Sequence, residues 1–365
     1  MTPDPTTSAA LPAELRLGPV RIGGPAVQAA LSGYSDLAMR TVARELGAPY
    51  ALNEVVLDEH VLRKGKLQRR ILSVPEHDHP VGGQLMGSDP ANFGAAAREL
   101  VRAGYDVIDV NFGCPVSKVL GRHRGGWLLQ DPDTALAIVD SVVQAVAGDA
   151  PVTVKMRRGS DDSPDAEARF WRILDGAIAR GITAATVHPR TVQQKYVGPS
   201  RWPFLAQVKR HVGAFPILGS GDLFSAFDVV AMLRETGVDG VTVARGCIGN
   251  PFVFSQVADL LAGRPALRPT HAMQRAALLR HWQVAVPFHG GERNALPHVR
   301  MHAIKYGQYH RDPLFARDRL VTMRGPEDLP RLVEEVFADR FDDDGARREL
   351  WPADAVVPAI ANCSE

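Results

Sequence analysis

The sequence predicts an α/β fold, a (β/α)8 TIM barrel followed by a smaller all-helical domain. Three observations carry this reading. Short apolar, β-branched runs alternate with amphipathic stretches from about residue 27 to residue 262. Eight such runs occur. Beyond residue 262 the strand signal stops and helical periodicity takes over. Strands that alternate with helices pair in parallel, because each needs a crossover to return in the same direction. Eight units in that length suit a closed barrel of about 250 residues. An open doubly wound sheet is the runner-up, since periodicity is silent on closure.

In chain order the strands fall at 27–31, 50–53, 81–85, 107–110, 152–155, 184–187, 217–218 and 240–243. Amphipathic stretches at 37–46, 90–103, 133–147, 165–180 and 225–235 lie between them. Asp89-Pro90 opens one helix, and Gly104 and Gly181 close others, as capping chemistry requires. Further helices fall at 271–286, 296–309 and 330–337, separated by His289-Gly290-Gly291 and Asp312-Pro313. The division expected is an extension over 1–20, a barrel over 21–262, a helical domain over 263–340 and an acidic, irregular tail over 341–365.

Composition narrows the function. With 45% hydrophobic and 23% charged residues, the chain is of the folded globular type, not a disordered one. No run approaches the roughly 18 apolar residues of a membrane span, and the first residues lack the basic start and apolar core of a secretory signal. Cys114, Cys247 and Cys363 make neither a disulfide framework nor a metal cluster, so a reducing cytoplasm without a bound metal is expected. The net charge of +1 excludes a uniformly basic nucleic-acid coat, but not a local patch. Residues 264–319 hold ten Lys/Arg against three acids, with six histidines. That stretch is where a polyanion would be attracted.

In a barrel the chemistry sits where strands end. The fourth strand runs into Asn111-Phe112-Gly113-Cys114-Pro115, placing a thiol and a carboxamide at the mouth. Lys118, Arg122, His123 and Arg124 follow, and positive charge beside a thiol is expected to lower its pKa. The fifth strand ends in Lys155-Met156-Arg157 and the sixth in His188-Pro189-Arg190-Thr191. Gly219-Ser220-Gly221-Asp222 follows the seventh strand and Ala244-Arg245-Gly246 the eighth. Glycines at those two ends match the barrel phosphate site, where backbone N–H groups converge on an anion. The third strand supplies Gln84, an amide suited to the edge of a flavin or pyrimidine. Together these residues suit flavin mononucleotide facing a planar substrate.

The same residues resemble the tRNA-dihydrouridine synthases of the bacterial type. Ala29 to Asp36 is similar to the family's opening A-P-M-x-G-x-[ST]-D, and Asn53-Glu54-Val55-Val56 to T-E-M-V. Gln84 to Gly87 matches Q-[IL]-x-G, and Asn111 to Pro115 matches N-x-G-C-P. Val154 to Arg157 matches V-K-x-R, and His188 to Thr191 matches H-x-R-T. Gly219 to Asp222 and Ala244 to Pro251 resemble G-N-G-D and G-R-G-x-x-G-N-P, and Arg300-Met301-His302 with Tyr306 resembles R-K-H-x-x-W-Y. Ala30, Leu31, Ser220, Ala244 and Trp127 depart from the pattern.

The resemblance implies an FMN enzyme that reduces the C5–C6 double bond of uridines in tRNA, with NADPH as reductant. Cys114 would protonate C5 while hydride passes from flavin N5 to C6. Asn111, Arg157 and Arg190 would hold the uracil. Lys155, His188, Gln84 and Leu31 would contact the flavin. Ser220, Gly221, Asp222, Arg245 and Gly246 would surround its phosphate and ribityl chain. Lys118, Arg122, Arg124, Arg300 and Lys305 would meet tRNA. A monomer is expected. The alternative is an FMN barrel acting on a free pyrimidine or enoate, which needs no basic helical domain; a non-catalytic tRNA-binding role is a second rival.

Overall fold

The computed structural model describes residues 11–12 and 14–341. Eight parallel strands form the barrel: β1 (Ala26–Gln28), β2 (Ala51–Leu52), β3 (Val81–Met86), β4 (Val107–Phe112), β5 (Val152–Arg157), β6 (Ala184–His188), β7 (Ile217–Gly219) and β8 (Gly240–Val243). β8 returns to β1, with Val241 opposite Ala26 and Val243 opposite Gln28. The ring closes at β2 and β3, where Ala51 pairs with Val81 and Leu52 with Gly82. Closure decides against the open sheet. β3 and β4 are buried at every position, because one face fills the barrel and the other meets helices. Their polar members, Gln84, Asp109 and Asn111, are buried with them and bonded to one another.

The surrounding helices are α1 (Leu37–Glu45), α2 (Pro90–Arg102), α3 (Pro132–Val146), α4 (Pro164–Ala179), α5 (Trp202–Val212), α6 (Ala226–Thr236) and α7 (Val253–Leu261). Side chains satisfy orphan N–H groups at several starts: Asp36 accepts from Met39, and Ser225 forms a capping box with Asp228. α5 has no side-chain cap, and the sequence signals pass over it. The extension expected over 1–20 is corrected at its end. Arg16–Leu17 and Val20–Arg21 make an antiparallel hairpin. Leu15, Leu17 and Ile22 are buried with Tyr50, Val107 and Leu218, and Leu15 lies over Gly240 at the start of β8. The segment therefore plugs the amino-terminal end of the barrel.

The second domain comprises α8 (His271–His289), α9 (Glu292–Tyr306), α10 (Pro313–Leu320) and α11 (Asp328–Val336). α10 is an addition to the sequence reading. Asp312-Pro313, which looked like a separator, is a cap and first turn: Asp312 accepts from Phe315 N–H at 3.0 Å. This domain has its own core around Leu278, Val299, Leu332 and Phe337, and α1 joins it through Ala38 and Val42. The tail expected beyond Phe341 lies outside the described residues. No described helix is long and apolar enough to cross a membrane.

Among the contacts that fasten the helical domain to the barrel, two stand out. Gly249 has φ +82°, and a Cβ there would lie 2.5 Å from the Lys305 backbone, so only glycine admits the end of α9. Asp36 and His289 pair at 2.8 Å with side chains 5% and 4% exposed. His298 stacks on His289 at 4.0 Å, with the ring planes 13° apart. Among the described residues, Asp36, His289 and His298 are the one set near enough to share an ion. Parallel rings do not aim their lone pairs at one point, and what the cluster holds is the Asp36–His289 hydrogen bond. Burial alone pushes the Asp36 carboxyl up, but His289, the Met39 N–H and nearby His281 and His302 hold it well below the usual range.

Asp36→Ala removes a helix cap and strands His289, and is expected to cost about 3 kcal/mol in chemical denaturation. Because the folded carboxyl is depressed, its contribution is present above the unfolded pKa of about 4 and is lost as pH falls below it. The acid limb of the stability profile is therefore expected to be shallower in Asp36→Ala than in the wild type.

Candidate active site

A cleft of about 300 Å³ opens at the carboxyl ends of the strands, lined by residues at the ends of every strand but β3. One wall is the pair of loops after β7 and β8. They touch so closely that a Cβ on Gly246 would stand 2.2 Å from the Leu223 carbonyl oxygen. The N–H groups of Gly221, Asp222, Arg245 and Gly246 have no protein acceptor among the described residues. Arg245 is held over Tyr196 and Phe224, 5.1 Å and 4.9 Å from the ring centres. Asp222 accepts from Arg190 at 2.7 Å and from the Ser200 N–H at 2.8 Å. Buried Arg190 Nη1 and Ser200 Oγ are left without partners. Unsatisfied donors gathered at one spot mark an anion site.

The floor is cationic and dry. Burial, with Arg157 adding repulsion, brings the Lys155 ammonium down to about 8. Lys155 lines the cleft with no hydrogen-bond acceptor among the described residues. Burial, together with Arg157, Lys155, Arg190 and Arg245, holds His188 well below its ordinary pKa, so it is neutral. Its Nδ1 accepts from the Arg190 N–H at 3.2 Å, which places the proton on Nε2. The floor thus offers an ammonium and an imidazole N–H.

The opposite wall is the turn that carries Cys114. Asn111 Oδ1 accepts from the N–H groups of Gly113 and Cys114 at 2.9 Å and 3.1 Å, and its Nδ2 donates to Gln84 at 2.7 Å. Gln84 in turn donates to buried Asp109 at 2.6 Å. Arg157 Nε donates to the Gly113 carbonyl at 2.9 Å. The turn that bears the thiol is therefore held from both sides. The thiol pKa is raised by burial, which outweighs the Val116 N–H, Arg157 and Lys155. This corrects the expectation of a lowered value: Lys118, Arg122 and Arg124 line a neighbouring cavity instead.

Most of the expected site residues converge. Leu31, Asn111, Cys114, Lys155, Arg157, His188, Ser220, Gly221, Asp222 and Arg245 all line the cleft. Gln84 and Arg190 do not. Gln84 is fully buried behind Asn111, and Arg190 is bound to Asp222 and the Gly198 carbonyl. Gly246 acts by letting the two loops meet. Arg300 donates to the Val321 carbonyl within the helical domain, and Lys305 turns its backbone to Gly249. Sequence reasoning missed Tyr196, Phe224 and Thr242, which also line the cleft. For Tyr196 a signal existed, an aromatic in the polar loop just after β6.

A closed parallel barrel whose strand ends gather an anion cradle and a thiol around one cleft has the layout of a TIM-barrel enzyme. By its fold the chain resembles histamine dehydrogenase from Rhizobium sp. 4-9 (TM-score 0.56, 15% identity, covering 75% of this chain and 51% of that one). It also resembles an old yellow enzyme homologue from Zymomonas mobilis (TM-score 0.53, 14% identity, 73% and 96%). Residues 27–339 match the family model described as dihydrouridine synthase. A probable tRNA-dihydrouridine synthase from Mycobacterium tuberculosis is 34% identical over 80% of this chain and 77% of its own. tRNA-dihydrouridine synthase B from Xanthomonas campestris is 33% identical over 88% and 96%. The chain belongs to the dihydrouridine synthase family, a family of flavin-dependent oxidoreductases.

Gly246→Ala forces a Cβ against backbone that cannot yield cheaply. It is expected to lower stability by about 1–3 kcal/mol, as overpacking does, and to weaken anion binding at the cradle. Thermal unfolding with and without added phosphate measures both effects.

Proposed function

We propose that this protein is an FMN-dependent tRNA-dihydrouridine synthase, reducing the C5–C6 double bond of particular uridines in tRNA with NADPH as reductant. One observation carries the reading: a protonated thiol on a held turn and an unsatisfied anion cradle line the same cleft. The residues present fit FMN. The free N–H groups and Arg245 would take its phosphate, with Ser220 and Asp222 along the ribityl chain and Arg190 holding Asp222 in place. The Lys155 ammonium and His188 Nε2–H would face polar atoms of the ring, and Ala30 and Leu31 its apolar part. When bound, the flavin supplies the hydride.

The protein's own residues supply the rest. Burial keeps Cys114 protonated at neutral pH, the state in which a thiol can give its proton to C5. Asn111 orients that thiol and keeps a second amide N–H for the uracil edge. Arg157 holds Gly113 and lines the space beside the base. Gln84 and Arg190, expected at the flavin edge and the uracil, are positioning residues in this reading. The target base must leave the tRNA stack to reach the cleft. Lys118, Arg122 and Arg124 at the mouth, with Arg300 and Lys305 on the helical domain, are the phosphate contacts of the proposal. Lys118 and Arg122, which have no acid partner among the described residues, favour RNA over a free pyrimidine. Free thiols at Cys114 and Cys247 suit a cytoplasmic setting.

Cys114→Ala is expected to bind FMN and oxidise NADPH normally while forming dihydrouridine about 100-fold more slowly, as read by mass spectrometry of tRNA digests. Turnover of free uridine or orotate without turnover of tRNA would select the small-molecule reading instead.

Lys155 gives a pH test. Its ammonium is present below about 8 and is lost as pH rises through that value. FMN affinity of the apoprotein, followed by quenching of flavin fluorescence, is expected to fall over that interval. Lys155→Met should bind more weakly at pH 7 and lose this step.

A further inference from the structure

The larger cavity at the mouth is not the flavin cleft. It has a volume of about 480 Å³ and adjoins the cleft, sharing Ser32 and Val55 as a common wall. Three of its cations, Arg70, Lys118 and Arg122, have no acid partner among the described residues, whereas Arg124 reaches Glu59 at 3.3 Å. Its apolar surface includes Leu67, 42% exposed, and Phe288, which lies 5.6 Å beneath the Arg70 guanidinium. Phe288 is on α8, so the cavity is walled by both domains. Glu54 stands in its wall. One Glu54 oxygen accepts the Gly33 N–H at 2.7 Å, and the other has no donor among the described residues.

These features divide the cavity. Cations at the rim suit a phosphate. A carboxylate deeper in repels a phosphate but accepts N–H groups, as the hydrogen-bonding edge of a base provides. The apolar faces suit a planar ring. Resting on the function proposed above, we propose that this cavity receives a second extruded nucleotide of the RNA, the one next to the target uridine. Its base would lie between Leu67 and Phe288, and its phosphate at Arg70, Lys118 and Arg122. The helical domain's share of the wall favours RNA over the adenosine end of the pyridine nucleotide.

The test places 2-aminopurine in tRNA on either side of the target uridine and uses Leu67→Trp, which fills the cavity without altering charge. With wild-type protein, emission from one of the two positions is expected to rise on binding, as the base unstacks. With Leu67→Trp that rise should vanish and the KM for tRNA should increase about tenfold, the loss expected for one stacked base. Flavin reduction by NADPH, measured without tRNA, should be unchanged, which also shows that the variant is folded. No change in emission at either position with the wild type would overturn the proposal. So would a variant that binds NADPH more weakly with tRNA unaffected, since that result assigns the cavity to the reductant. If wild-type protein reduces no uridine in tRNA at all, the proposed function itself fails, a result separate from these.

Discussion

Uncompensated positive charge governs this molecule. Lys155, Arg157, Arg190 and Arg245 gather around one cleft, and Asp109 and Asp222 are the carboxylates set among them. Asp109 is already committed to Thr153 and Gln84. In a poorly solvated space each cation destabilises the next. Burial first, and the neighbouring cations second, bring Lys155 down to about 8 and Arg157 to about 10, while His188 gives up its charge. A cleft with that imbalance favours a ligand that carries negative charge and hydrogen-bond acceptors.

The neutral side of the site depends on the same dryness. Burial raises the Cys114 thiol, so it waits as an acid and not as a thiolate. Position comes from a chain of amides: Asp109 holds Gln84, Gln84 holds Asn111, and Asn111 holds the turn bearing the thiol. Every link is buried, where an unmade hydrogen bond costs about 1–3 kcal/mol. The chain therefore has one arrangement with all its partners satisfied, and the thiol inherits that order.

Much of the site was legible in the residues. The strand-end motifs at Asn111, Lys155, His188, Ser220 and Arg245 all lead into one cleft, because a parallel barrel gathers every strand's carboxyl end on the same face. The roles of Gln84 and Arg190 were not legible. A strand's alternation gives its two faces, but not whether an inward side chain reaches the cavity or stops behind another. Gln84 stops behind Asn111, and Arg190 is drawn aside by Asp222. The fate of Cys114 was misread for a related reason. Nearness in sequence to Lys118, Arg122 and Arg124 suggested a lowered pKa, yet the loop carries those charges outward while the thiol turns inward.

By itself the sequence determined the alternation of strands and helices, the caps that start the helices, and the chemical types at each strand end. These are local, fixed by period, capping and turn geometry. Closure of the ring, the plug formed by Leu15 and Leu17, the clasp between Asp36 and His289, and the cavity shared by both domains were decided only in three dimensions. Each joins residues far apart in the chain, and the energy of such contacts lies in burial and charge that no single segment contains.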